Sequence, residues 1–174
     1  MNPDLKSFGR DSMPVTPVHY DGSIYVTSGY DMGSARFDIS PDGKSIKRAW
    51  FNYTLDCHHG GVVVVDGYIY GSNWQSNTRG GWACLEWNTG KVMYETDWQG
   101  NKGSLTYADG MLYCYDEKKG TVALVKANPA SFDIVSTFEV TMGEDQYWAY
   151  PVVYGGTLYI RHGQVLMAYD VKNK

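Results

Sequence analysis

No run in this sequence approaches the roughly 18 consecutive apolar residues that a membrane-spanning helix needs. An excess of basic charge is also missing, since 15 Lys and Arg face 19 Asp and Glu for a net charge of −4. That balance excludes the electrostatic footprint of a nucleic-acid binder and a polybasic membrane patch. Cysteine is scarce. Cys57, Cys84 and Cys114 are an odd number at wide spacing, which suits neither a disulfide framework nor a CxxC zinc or redox site. No nucleophile elbow, phosphate-binding loop or dinucleotide fingerprint occurs. No segment sustains a 3.6-residue apolar period, so the chain reads as all-β. The opening Met1-Asn2-Pro3-Asp4-Leu5-Lys6 lacks the charged and apolar regions of a signal peptide. The expectation is a cytosolic chain or a native start that lies upstream.

Glycine and aromatic residues are abundant, with 20 Gly, 15 Tyr and 6 Trp, a composition that favours strands and turns. One phrase occurs four times. It reads Tyr20-Asp21-Gly22-Ser23-Ile24-Tyr25, then Val65-Asp66-Gly67-Tyr68-Ile69-Tyr70, then Ala108-Asp109-Gly110-Met111-Leu112-Tyr113, then Tyr154-Gly155-Gly156-Thr157-Leu158-Tyr159. Each is a strand, a two-residue turn and a second strand. A type I′ turn needs positive φ at both central residues, which Asp-Gly and Gly-Gly supply. The turn glycines Gly22, Gly67, Gly110 and Gly156 stand 45, 43 and 46 residues apart. A period of about 40 to 50 residues with several strands per unit marks a β-propeller blade.

The expected architecture is therefore an N-terminal segment, 1–14, and four blades at about 15–59, 60–102, 103–148 and 149–174. Each blade is a four-stranded antiparallel sheet, and the last lacks its fourth strand. In blade two the strands are Val62–Val65, Tyr68–Ser72, Trp82–Trp87 and Val92–Thr96, with Asn73–Gly80 as a long polar loop. The first strand of a blade is short and apolar, as an inner strand buried by its neighbours should be. The fourth is longer and more polar, as an outer strand should be. Trp50, Tyr94 and Phe138, one per fourth strand, read as packing between blades. Trp74, Trp82 and Trp87 read the same way, although the Asn73–Gly80 loop is long enough to line a surface cleft, and Cys84 and Cys114 read as buried apolar thiols.

The run Cys84-Leu85-Glu86-Trp87-Asn88-Thr89-Gly90-Lys91-Val92-Met93-Tyr94 resembles the repeat of the pyrroloquinoline-quinone (PQQ)-like propellers. There an acidic residue near the end of the third strand precedes Thr-Gly-Lys and an aromatic in the fourth. The Gly-His and Trp-Asp dipeptides of WD40 blades are absent, as is a Gly-Gly doublet in every second strand. The resemblance covers about residues 15–172. It takes in the quinoprotein alcohol dehydrogenases and noncatalytic propellers such as the outer-membrane assembly lipoprotein. It implies a periplasmic or secreted setting and rings of seven or eight blades. The dehydrogenases hold PQQ under an adjacent-cysteine disulfide and beside a calcium ion bound by Glu, Asn and Asp. This chain has no Cys-Cys pair, and the calcium–PQQ set cannot be placed on it residue by residue, so PQQ enters only through the family.

Aligning the repeats on their turn glycines gives candidate site residues. The positions nine and eight before each glycine are Met13-Pro14, His58-His59, Asn101-Lys102 and Tyr147-Trp148. They lead into the inner strands and are expected to ring one mouth of the central channel. His58, His59, Asn101, Lys102, Tyr147 and Trp148 are the candidate ligand-binding residues, with Asp56 and Asp145 just upstream. They suit a sugar, polyol or quinone, and the plain alternative is loop residues that satisfy turn backbone. His58 and His59, as strand neighbours, would point to opposite faces and not share a metal. Arg161-His162-Gly163 reads as a solvated turn.

Two functions follow. One is a noncatalytic ligand-binding or interaction propeller, taking a small molecule or protein at the channel mouth. The other is a PQQ-dependent dehydrogenase that oxidises an alcohol, polyol or sugar. Four blades of an eight-blade family make an arc with two bare apolar end faces. A homodimer completing the ring, or a longer chain, is favoured over a closed four-blade ring in which 1–14 supplies the missing strand.

Overall fold

The computed structural model describes residues 14–172. Its strands form four antiparallel sheets, each in sequence order. The first holds β1 (Val18–Tyr20), β2 (Ser23–Thr27), β3 (Ser34–Ile39) and β4 (Ile46–Asn52). The second holds β5 (Val62–Val65), β6 (Tyr68–Ser76), β7 (Arg79–Glu86) and β8 (Val92–Thr96). The third holds β9 (Gly103–Ala108), β10 (Met111–Asp116), β11 (Thr121–Lys126) and β12 (Ile134–Glu139), and the last β13 (Val152–Tyr154), β14 (Thr157–His162) and β15 (Val165–Asp170). This is an all-β propeller architecture with an incomplete fourth sheet, and a 3₁₀ turn at Trp98–Gly100 is its helical element among the described residues.

The four repeated turns have the expected geometry. Asp21 and Gly22 have φ of 44° and 71°, Asp66 and Gly67 49° and 79°, Asp109 and Gly110 52° and 78°, Gly155 and Gly156 59° and 78°. Both central residues are thus left-handed each time, as a type I′ turn requires. One expected loop is not a loop. Asn73–Gly80 continues β6 and β7, and Ser76 pairs with Arg79 across Asn77-Thr78. The polar residues serve the ladder instead of solvent. Asn73 donates to Glu95 Oε1 at 2.5 Å and accepts from the Gly81 N–H at 2.6 Å.

Blades pack face to face through apolar layers. Between blades two and three lie Tyr70, Trp82, Cys84, Leu112, Cys114 and Val125. Between three and four lie Tyr115, Val122, Leu158, Ile160 and Met167. Full burial of one such side chain contributes about 1.5–3 kcal/mol. All three cysteines are free and buried. Burial pushes the Cys57 and Cys84 thiols up to about 12.

Successive first strands touch, β1 with β5, β5 with β9 and β9 with β13, so they line the axis. In β5, Val62, Val63 and Val64 are half-buried and Val65 is buried. β13 makes no contact with β1, so the described strands form an open arc. One end face of the arc is bare: Val152, Tyr154 and Leu166 of blade four are 52%, 78% and 68% exposed. The other is not. On blade one, Ala35 and Phe37 are buried, which corrects the expectation of two bare faces.

Candidate functional site

In each blade, strand one runs away from the channel mouth and strand two returns to it. The mouth is therefore built from the segments that lead into first strands and from the loops between second and third strands. The first set contains the residues singled out by the repeat alignment. The second set contains residues that alignment did not reach, Tyr30 and Glu117 among them.

His58 and His59 lie in a bend ahead of β5 and not in a strand. Their rings consequently meet, with the two Nδ1 atoms 3.0 Å apart, contrary to the opposite-face expectation. One of these nitrogens must donate and the other accept, so the pair shares one proton there. His59 Nε2 lies 2.9 Å from Glu117 Oε2, in ion-pair contact without hydrogen-bond alignment. Lys102 Nζ lies 2.7 Å from Glu117 Oε1 and also donates to the carbonyls of Ser76 and Asn77 at 3.1 and 3.3 Å. Its side chain is 5% exposed, so the ammonium is held almost wholly by protein acceptors. Burial would raise the Glu117 carboxyl, but His59 and Lys102 outweigh it and hold it below the ordinary value. Burial first, then the neighbouring His59 and Lys102, lowers His58.

Aromatic rings enclose this cluster. Tyr30, held at φ 62°, sets its ring edge-on to His58 at 4.5 Å and tilted to Trp74 at 5.3 Å. Trp148 meets His59 at 5.3 Å and is 55% exposed. Tyr150 donates its hydroxyl to the His59 carbonyl at 2.7 Å, which joins the segment before β13 to the segment before β5. Asn101, 4% exposed, lines with Asn77, Glu117, Tyr147 and Trp148 a cleft of about 290 Å³. Tyr147 is turned partly away, its ring stacked at 3.8 Å on His162. Among the positions that precede the turn glycines, Met13 lies outside the described residues and Pro14 is exposed.

The two upstream aspartates have separate places. Asp145 caps the Gln146 N–H at 2.9 Å and borders the cleft. Asp56 is 2% exposed, facing the backbone N–H groups of Gly29, Asp31 and Gly33. Burial exceeds what those groups return and pushes its carboxyl up to about 6. Asp56 therefore shapes the loop that presents Tyr30. Trp82 and Trp87 are buried packing residues, whereas Trp74 shares the mouth with Tyr30. His162 is 4% exposed and enclosed by its neighbours, so it is no solvated turn.

The donor set does not match a calcium–PQQ site. Both Glu117 oxygens are taken up by His59 and Lys102, and no three His, Cys, Asp or Glu residues converge as metal ligands among the described residues. Cys57, Cys84 and Cys114 sit in different segments and form no vicinal pair.

The fold is that of the PQQ-like β-propellers. Neither a family model nor a curated protein sequence matches the chain. Solved structures do. BamB from Moraxella catarrhalis superposes with a TM-score of 0.69 at 18% identity, over 90% of this chain and 43% of its own. The quinohemoprotein alcohol dehydrogenase from Comamonas testosteroni gives 0.64 at 18% identity, over 86% of this chain and 29% of its own. A europium-containing methanol dehydrogenase gives 0.55 at 15%, over 70% and 23%. The chain thus spans less than half the length of each. Identity this low carries the fold and leaves activity to the site.

Proposed function

We propose that this chain is a noncatalytic binding segment of a PQQ-like propeller, periplasmic or secreted in setting, that takes a neutral hydroxylated ligand at the channel mouth. The observation behind this reading is the convergence of Tyr30, His59, Lys102, Glu117 and Trp148 from the loops of successive blades. Lys102 and Glu117 cancel in charge, so the mouth does not select for an ion. Asn77 and Asn101 offer donors and acceptors along a cleft whose wall Glu117 braces, and exposed Trp148 offers a flat apolar face. That combination suits a sugar ring or polyol, with polar edges and a C–H face. A protein segment presenting such groups is the second kind of ligand for the same surface.

Titrating the protein with neutral monosaccharides and polyols, followed by tryptophan fluorescence and calorimetry, tests the reading. Saturable binding is expected, lost in Trp148→Ala and weakened about tenfold or more in Glu117→Gln, since a buried unpaired Lys102 disorders the wall. Absence of binding across the panel refutes the small-molecule reading.

The PQQ-dependent dehydrogenase is the competing reading, favoured by the two dehydrogenases among the structural neighbours. Incubation with PQQ and calcium, followed by dye reduction with alcohols and sugars, separates the two. The expected result is no cofactor absorbance retained after gel filtration and no turnover.

A further inference from the structure

His162 ends β14 and lies against the loop 142–148, whose last two residues, Tyr147 and Trp148, are walls of the cleft. Its Nδ1 is 2.8 Å from the Met142 carbonyl oxygen, and its Nε2 is 2.8 Å from that of Asp145. Carbonyl oxygens only accept. A neutral imidazole has one N–H, so it can satisfy one of these contacts and must turn a lone pair on the other. Both bonds exist together only when the ring carries two protons.

Three features bear on the contact between ring and loop. Its flat face stacks on Tyr147 at 3.8 Å and 19° between planes, an arrangement that favours a cation over a π system. Gly143, at φ 94°, lets the loop close: a Cβ there would come within 2.8 Å of Nδ1 and 2.4 Å of the His162 carbonyl oxygen. And the ring is 4% exposed, so water cannot readily replace a lost partner; the same burial opposes the charge, which leaves the two carbonyls and the Tyr147 face to offset it.

We infer that His162 is a proton-dependent clamp on the loop 142–148, closed when both ring nitrogens are protonated, and that it regulates the channel-mouth cleft. The second clause rests on the binding role proposed above; the clamp itself does not. The charged and titratable groups around the ring are few. Glu144, Asp145 and Tyr147 lie on the loop, with the Asp145 carboxylate committed to the Gln146 N–H. Arg161, next in β14, is exposed and donates its Nε to the Gly163 carbonyl. Tyr115 of β10 backs Tyr147 at 5.8 Å. No carboxylate is ion-paired with the ring among the described residues. When the ring loses a proton, Met142 or Asp145 is released. The loop then loosens, and Tyr147 loses its stacking partner.

The test reads the loop without any ligand. Imidazole ¹H–¹⁵N spectra of the protein between pH 5 and 8.5 report both His162 nitrogens, and backbone amides of Gly143 and Glu144 report the loop. The expected result is two protonated nitrogens while the loop amides hold their closed positions, then loss of one N–H with loop signals moving at the same midpoint. His162→Gln supplies donors from one nitrogen only and should give loop signals that no longer titrate. If that variant does not fold, His162→Phe keeps the stack on Tyr147 and removes both donors, with the same expectation. A singly protonated ring with the loop closed overturns the clamp, as do loop amides that ignore the ring's titration. Failure of ligand binding with an intact clamp touches only the binding proposal.

Discussion

Single residues carry the most local predictions. Gly67 has open space around it, yet its φ is 79°. Gly67→Val is expected to cost about 1–3 kcal/mol from backbone strain alone. Gly67→Asn should cost much less, because Asn tolerates the left-handed region. Denaturant melts of the two variants check this, and equal melts would contradict the turn. Asp56 gives a pH prediction. Its carboxyl is raised from 3.8 to about 6 in the fold, so the folded state holds the proton more tightly than the unfolded chain. That contribution is complete below about pH 4 and disappears as pH rises to 6. Asp56→Asn resembles the protonated form and has nothing to lose. The melting temperature of Asp56→Asn minus that of the native protein should therefore rise between pH 4 and 7. A flat difference would show that Asp56 is not buried as a strained carboxylate.

At the scale of elements, the alternation of hairpin ends decides which residues meet. Residues that lead into first strands were legible from the repeat spacing, and among them His59 meets His58 and Trp148 and shares the Glu117 carboxylate with Lys102. Glu117 and Tyr30 were not found, although a signal existed. Loops between second and third strands must return to the same end as the lead-ins, so polar residues just past each second strand were candidates too. The second hairpin of blade two was misread because Asn, Ser and Gly favour turns when taken singly. There, Asn73 instead completes the ladder and the strands run on. Packing between blades rests on the fourth-strand aromatics. Trp50 donates its indole N–H to the Trp87 carbonyl at 2.8 Å and covers Gly90. Trp50→Ala should cost about 2–4 kcal/mol, whereas Trp148→Ala, half exposed at the mouth, should leave the melt nearly unchanged. Thermal denaturation of both variants makes the comparison.

The described strands form an arc, and its blade-four end is bare. Tyr25, Tyr70 and Tyr113 occupy equivalent places after their turn glycines and are covered by the next blade. Tyr159 is their counterpart in blade four, beside exposed Val152, Tyr154 and Leu166. Two copies joined through this face give a solution mass twice that of the chain, and light scattering after gel filtration measures it. Leu166→Asp should return the mass to that of one chain, since an ionised side chain cannot be buried in an apolar layer without a partner. A native protein that stays monomeric at high micromolar concentration would rule out the dimer.

The sequence by itself determined the class of fold. A type I′ turn demands glycine-compatible residues at fixed places, and repetition of that local demand at 45, 43 and 46 residues leaves little but blades. It also determined that Trp82 and Trp87 are packing side chains, though not the place of Trp74, because strand alternation and aromatic content act locally. Tertiary structure decided the rest. Whether His58 and His59 diverge or touch depends on a bend that no local rule specifies. That Glu117 pairs with Lys102 and His59, and that His162 is buried against the loop from Met142 to Asp145, depends on loops from different blades meeting at one end. Such contacts join residues 15 to 58 positions apart. Spacing along the chain encodes the turns, but only the curvature of packed sheets brings their ends together.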